Sequence, residues 1–130
     1  MLSAPGIAVV DDDLSVRRSV QRLLRSAGYE AEAYPSAQEL IDSDFVSGAS
    51  CFILDIHLQR SSGFELLERL RSLGNRAPAI FVTAFDDDAT RERARSLGAA
   101  SYLRKPFDGN ALLDAIAEAL QAPSGTRARS

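Results

Sequence analysis

The sequence predicts an α/β domain: a doubly wound, five-stranded parallel sheet with five helices. Three observations carry that prediction. Short apolar runs alternate five times with longer amphipathic stretches. The strongest runs are almost continuously apolar rather than alternating, the pattern of strands covered on both faces. Repeated βα units of this kind close into a layered sandwich through right-handed crossovers. With 130 residues, 45% hydrophobic and 25% charged, the chain has enough for one domain with its own core.

The first run is Ile7-Ala8-Val9-Val10. After it, Val16, Val20, Leu23, Leu24 and Ala27 recur at helical spacing, and Gly28 stands where a C-terminal cap is expected. The second run, Glu30-Ala31-Glu32-Ala33-Tyr34, is weaker and alternates, which places it at a sheet edge. Ser36-Ala37-Gln38-Glu39 has the form of a capping box opening a short helix with Leu40 and Ile41. The third run is Cys51-Phe52-Ile53-Leu54; the helix after Gly63 turns Phe64, Leu67 and Leu70 inward and ends at Gly74. The fourth run, Ala79-Ile80-Phe81-Val82, leads to a helix that starts after Asp86-Asp87-Asp88 and stops near Gly98. That helix is poor in apolar residues, with Ala89, Ala94 and Leu97 as nearly its whole buried face. The fifth run, Ser101-Tyr102-Leu103, precedes a helix carrying Leu112, Leu113, Ile116 and Leu120. The domain is expected over residues 1–121. Residues 122–130, rich in Ser, Gly and Arg and without periodicity, read as a disordered tail or the start of a linker.

Composition narrows the function. A net charge of −3 gives no sign of a bulk nucleic-acid or anionic-membrane binder. The one cysteine, Cys51, lies in an apolar run and is expected to pack as a small hydrophobe. One cysteine excludes an internal disulfide framework and suits a reducing compartment. No basic leader with an apolar stretch is evident, and no run reaches the roughly 18 apolar residues of a membrane span. The expectation is a soluble, cytoplasmic protein.

In an open α/β sheet, ligands bind outside the carboxyl ends of the strands. The residues following the runs are therefore the informative ones: Asp11-Asp12-Asp13, then Asp55, then Thr83, then Arg104-Lys105-Pro106. Carboxylates gathered on one rim repel unless a cation or protons intervene. A hard cation with oxygen ligands, Mg²⁺ above all, suits two or three aspartates plus phosphate oxygens. A lysine ammonium and a threonine hydroxyl match the remaining oxygens of a phosphoryl group, and a carboxylate nucleophile would yield an aspartyl phosphate.

Taken singly, each residue has a plainer reading. The three aspartates at 11–13 suit a helix N-terminus, and Asp13 is expected to serve in that way. Asp55 alone is a turn residue, Thr83 a strand-end threonine and Lys105 a surface lysine. Their joint occurrence at the ends of different strands favours the chemical reading. A Mg²⁺-dependent phosphohydrolase with an Asp nucleophile would need a second acid soon after it, where this chain has His57 in Asp55-Ile56-His57. A dinucleotide- or flavin-binding sandwich would need a glycine-rich first turn, where this chain has acids. A phosphorylation-independent interaction module is the remaining alternative.

Four ordered motifs resemble the receiver-domain family of two-component response regulators, over a match from about Ile7 to Leu120. Val9-Val10-Asp11-Asp12-Asp13 resembles the family's first acidic motif, and Ile53-Leu54-Asp55-Ile56 its phosphoacceptor strand. Val82-Thr83-Ala84 is similar to the switch-threonine segment, and Lys105-Pro106-Phe107 to the Lys-Pro-Phe motif. Tyr34-Pro35-Ser36-Ala37 and Ser62-Gly63-Phe64-Glu65-Leu66-Leu67 are most similar to the FixJ-like branch.

The resemblance implies the flavodoxin-like strand order 2-1-3-4-5 and a signalling switch that catalyses only its own phosphorylation and slow dephosphorylation. It implies that Asp55 accepts a phosphoryl group from a histidine kinase or phosphotransfer protein. It implies Mg²⁺ held by Asp11, Asp12, Asp55 and the backbone carbonyl of His57. Lys105 would pair with phosphoryl oxygens, Thr83 would move to the phosphoryl group, Tyr102 would change rotamer in response, and Lys105-Pro106 would be a cis peptide. The fourth helix, fifth strand and fifth helix would form the output face, where Arg91, Arg93, Arg95 and Arg104 lie beside Glu92. That face could pair with a second copy of the domain through the fourth helix and fifth strand. Direct contact with nucleic acid by this domain is not expected, although a further DNA-binding output domain would fit the FixJ-like wording. The chain departs from the family at Gln59, where the loop usually carries proline. His57 and Phe85 at the mouth of the site are expected to modulate dephosphorylation, Phe85 by restricting the attacking water.

Overall fold

The structure, a computed structural model, describes residues 4–121. Strands β1 (Gly6–Val10), β2 (Glu30–Tyr34), β3 (Cys51–Asp55), β4 (Ala79–Thr83) and β5 (Ser101–Arg104) are all parallel, in the order β2-β1-β3-β4-β5. Helices α1 (Leu14–Ser26), α2 (Ala37–Asp42), α3 (Gly63–Ser72), α4 (Asp88–Ser96) and α5 (Gly109–Gln121) alternate with them. The doubly wound sandwich and its strand order are those expected.

The apolar runs are explained by two separate cores. Ala8, Val10, Phe52, Leu54 and Phe81 face Leu40, Leu67, Leu70 and Ala94 of α2, α3 and α4. The intervening residues Ile7, Val9, Ile53, Ile80 and Val82 face Val20, Leu24, Leu112 and Ile116 of α1 and α5. Every residue of β1, β3 and β4 is buried, whereas β2 and β5 lie at the edges with mixed burial. Fully buried Phe52 and Phe81 each contribute roughly 1.5–3 kcal/mol by removal from water. Cys51 is buried among these strands.

Side-chain caps fix where the helices begin. Asp13, Ser36, Ser62 and Asp87 each accept a hydrogen bond from a first-turn amide. Gly28 and Gly74, at φ of 96° and 88°, take the left-handed conformation that ends α1 and α3.

Some boundaries and faces differ from the sequence reading. Asp55, Thr83 and Arg104 are the last residues of their strands rather than the first residues beyond them. Ladder pairing continues through them, Asp55 with Val82 and Thr83 with Arg104. Ala27 is exposed because it is the C-cap of α1, outside the helical face. Ala89 is also exposed: five residues from Ala94, it lies about 140° around the helix from it. Ala94 is thus the buried residue of α4, with Leu97 half-buried just after it. A 3₁₀ turn over Asp44–Gly48 was not anticipated; it packs Phe45 and Val46 on the α2–α3 core. The expected tail, residues 122–130, lies outside the described residues.

Candidate functional site

The central strands end at one level and so bring their terminal residues together. Asp11 follows β1, Asp55 and Thr83 close β3 and β4, and Lys105 follows β5. Asp11, Asp55 and Thr83 are buried at 1%, 4% and 0% exposure. Lys105, distant in sequence, donates from Nζ to Asp11 Oδ2 at 2.7 Å and to Asp55 Oδ2 at 3.2 Å. Its own amide donates to the Thr83 carbonyl at 2.7 Å, and Lys105-Pro106 is cis, as expected.

Asp12 completes a group of three carboxylates, with Asp11 and Asp55, whose ligand oxygens lie within 4.8 Å of one another. Asp13 turns away from it. Its carboxylate caps α1, while its amide donates to Asp11 Oδ1 at 2.9 Å. The His57 amide donates to Asp55 Oδ1 at 3.1 Å. Both Asp55 oxygens are therefore held, one by a backbone amide and one by an ammonium.

Burial and charge together govern the titration of the site. Burial first, then the neighbouring Asp11 carboxylate, pushes Asp55 above the usual aspartate range; Lys105 and the His57 amide oppose the rise. Burial alone would lower Lys105, but bonds to Asp11 and the charges of both carboxylates outweigh it and hold the ammonium up. One ammonium thus faces two buried carboxylates and a third beside them. The oxygen-only donor set and its excess negative charge fit a small, hard divalent cation.

Thr83, His57 and Phe85 form a second group at the mouth. The Phe85 amide donates to Thr83 Oγ1 at 2.9 Å. The Thr83 hydroxyl lies 3.3 Å from both the Phe85 carbonyl and His57 Nδ1, with one proton to serve the two. The Phe85 ring is 66% exposed and meets the His57 ring edge-on at 5.0 Å. The imidazole of His57 is thus occupied by Thr83 and Phe85. Tyr102 is half-buried, and its phenol donates to Asp86 Oδ1 at 3.0 Å.

The loop beyond Asp55 has exposed Gln59 where proline was expected, and a backbone bridge between His57 and Ser62 closes it. Gly63 donates its amide to the Ile56 carbonyl at 3.0 Å and packs directly on the backbone of Asp55.

The contacts of four residues near the site escaped the sequence reading. Arg17 Nη1 donates to the Asp11 carbonyl at 2.8 Å, and helical spacing alone carries no sign of that. Gly63 was taken only as the start of a helix. Asp86 and Arg91 form an ion pair at 2.7 Å, and Asp86 had been read simply as part of an acidic helix start.

Comparison with known proteins agrees with this fold. The family model for the response regulator receiver domain matches residues 7–117. Nodulation protein W of Bradyrhizobium diazoefficiens is 39% identical over 115 residues, covering 88% of this chain and 51% of that protein. Transcriptional regulatory protein FixJ of Azorhizobium caulinodans is 34% identical over 114 residues, covering 88% and 54%. A response regulator receiver protein from Burkholderia phymatum is 40% identical in its crystal structure, with a TM-score of 0.79, covering 93% of this chain and 98% of that one. The chain spans about half the length of the curated relatives it matches.

Proposed function

The chain belongs to the response regulator receiver domain family, and from that premise we propose that it is a switch set by phosphorylation of Asp55. The observation that carries this reading is Lys105 bridging Asp11 and Asp55 beside the Asp12 carboxylate. It is an arrangement suited to positioning and charge neutralisation around a phosphoryl group.

An Asp55 carboxylate oxygen attacks the phosphorus of a phosphohistidine on a histidine kinase or phosphotransfer protein. The P–N bond breaks and the imidazole nitrogen keeps the electron pair. Asp11, Asp12, Asp55 and the His57 carbonyl would hold Mg²⁺, which when bound supplies positive charge to the phosphoryl oxygens. Lys105 keeps its proton and neutralises a second oxygen. The His57 amide holds the attacking carboxylate in place. Phosphorylation then adds about −1.5 to −2 charge to a rim that was already negative.

That charge draws Thr83 from the Phe85 amide toward the phosphoryl oxygens, and Tyr102 turns into the space released. The α4-β5-α5 face changes with it. A phosphorylation-dependent homodimer through α4 and β5, or a downstream output domain, would read the change; this domain makes no nucleic-acid contact of its own. His57 and Phe85 set the lifetime of the modified state. Among the described residues no helix is long and apolar enough to cross a membrane, and a cytoplasmic location is part of the same reading.

Intact mass after incubation with Mg²⁺ and acetyl phosphate tests the proposal. Wild type should gain about 80 Da, one phosphoryl group, and Asp55→Asn should gain nothing. An adduct on both proteins, or on neither, removes Asp55 as the acceptor. Wild type without adduct would leave a receiver-shaped interaction module.

A further inference from the structure

Tyr102 is restrained by a partner other than Thr83. It pairs with Phe81 in the β4–β5 ladder, and Thr83 pairs with Arg104 two residues further on. Because side chains alternate along a strand, Phe81, Thr83 and Tyr102 belong to the same face of the sheet. Tyr102 and Thr83 are therefore diagonal neighbours on that face across the β4–β5 ladder. The phenol is instead bonded to Asp86 Oδ1, and Arg91 Nη2 lies 2.7 Å from both Asp86 oxygens. The same guanidinium sits 5.9 Å from the centroid of the Tyr102 ring. Asp86 is the inner corner of this triangle, with its side chain 17% exposed against 54% for Arg91.

Two elements meet at Asp86. It follows Thr83 by three residues, in the segment that Thr83 itself holds by accepting the Phe85 amide. Its partner Arg91 is on α4, the helix with the least buried face. A threonine leaving Phe85 frees the segment that carries Asp86, and the bond to Tyr102 loses its anchor.

We propose that Asp86 is a positioning residue of the switch: fixed by Arg91, it holds Tyr102 to the start of α4 until Thr83 withdraws from the Phe85 amide. The proposal rests on the switch reading above and adds the contact that sets its resting bias. A ligand or modification can shift such an equilibrium only as far as the two states differ in free energy. The Asp86 clamp is a part of that difference present before any phosphoryl group arrives. It also makes α4 move with Tyr102, since Arg91 loses a partner when Asp86 shifts.

Two measurements on the 130-residue chain test this, using Asp86→Asn, Arg91→Gln, the double variant, Asp86→Glu and Tyr102→Phe. Without any phosphodonor, nuclear Overhauser contacts between the Tyr102 ring and the Thr83 methyl report the inward rotamer. They should strengthen about three- to tenfold in Asp86→Asn and Arg91→Gln, no further in the double variant, and fall back in Asp86→Glu. With Mg²⁺ and acetyl phosphate, initial phosphorylation of Asp86→Asn should accelerate by a similar factor. In a Tyr102→Phe background the same substitution should have no effect. Unchanged Tyr102–Thr83 contacts in both single variants, or an Asp86→Asn acceleration that persists without the phenol, overturn the clamp. Should wild type take up no phosphoryl group, the phosphoacceptor reading fails while the Overhauser comparison still decides the clamp.

Discussion

Gly63→Ala should weaken the fold and, separately, disable Asp55. A Cβ at this position would lie 2.6 Å from the Asp55 carbonyl oxygen, 3.1 Å from its carbon and 3.2 Å from Ile56 Cα. Ordinary contact begins near 3.4 Å, so the chain must open by roughly 0.8 Å, and the atoms that must move are backbone. They cannot yield cheaply, because Asp55 is paired with Val82 and the Gly63 amide is bonded to the Ile56 carbonyl. Helix propensity pulls the other way, favouring alanine by up to about 1 kcal/mol within a helix. Overpacking costs about 1–3 kcal/mol, and with unyielding backbone as the obstacle we expect a net loss of about 2 kcal/mol. For a domain of this size that lowers Tm by roughly 6–8 °C, read by circular dichroism. The displacement falls on the residue that carries the carboxylate, so phosphorylation by acetyl phosphate should drop at least about tenfold at a temperature where the variant is fully folded. Gly48→Ala is the control: nothing lies within 4 Å of its Cβ, and it should change neither property. A Gly63→Ala protein as stable as wild type would refute the steric argument. One that is destabilised but phosphorylates normally would refute the link to Asp55.

Two further outcomes follow from the site's surroundings. Phe85→Glu replaces an exposed ring at the mouth of the site with a group that admits and orients water, and it should shorten the life of the phosphorylated state several-fold; an unchanged decay of the mass adduct counts against this role. Burial first, then the bond to Asp86, pushes the Tyr102 phenol up to about 12, against about 10 for an ordinary tyrosine. A folded-state value above the unfolded one favours the fold fully below the unfolded value and ceases to do so as pH climbs through the folded one. Chemical denaturation should therefore show stability falling between about pH 10 and 12, less steeply in Asp86→Asn, whose phenol absorbance should titrate earlier.

The elements that the sequence revealed are those whose physics is local or periodic. Continuous apolar runs marked β1, β3 and β4 because each is covered on both faces, and the alternation in Glu30-Ala31-Glu32 marked β2 as an edge. The caps at Asp13 and Ser36 and the stops at Gly28 and Gly74 were readable because each acts on its own helix end. Asp11, Asp12, Asp55, Thr83 and Lys105 could be singled out because sheet topology dictates where strand ends meet. The Ala89 face was misjudged because α4 has too few apolar residues to define a stripe. The bond from Arg17 to Asp11, the contact of Gly63 with Asp55 and the clamp at Asp86 depend on distances between side chains of different elements. No periodicity encodes those.

The ladder registers also act as a gauge of correct assembly. Val10 pairs with Leu54, Asp55 with Val82, and Thr83 with Arg104. A slip of one residue in a strand turns every side chain to the opposite face. A slipped β3 would bury Asp55 beneath a helix and withdraw it from Lys105, without any change in secondary-structure content. Uptake of a phosphoryl group would then report that the three inner strands have locked in phase, so that a single mass measurement distinguishes a properly folded preparation from one that merely looks folded by circular dichroism.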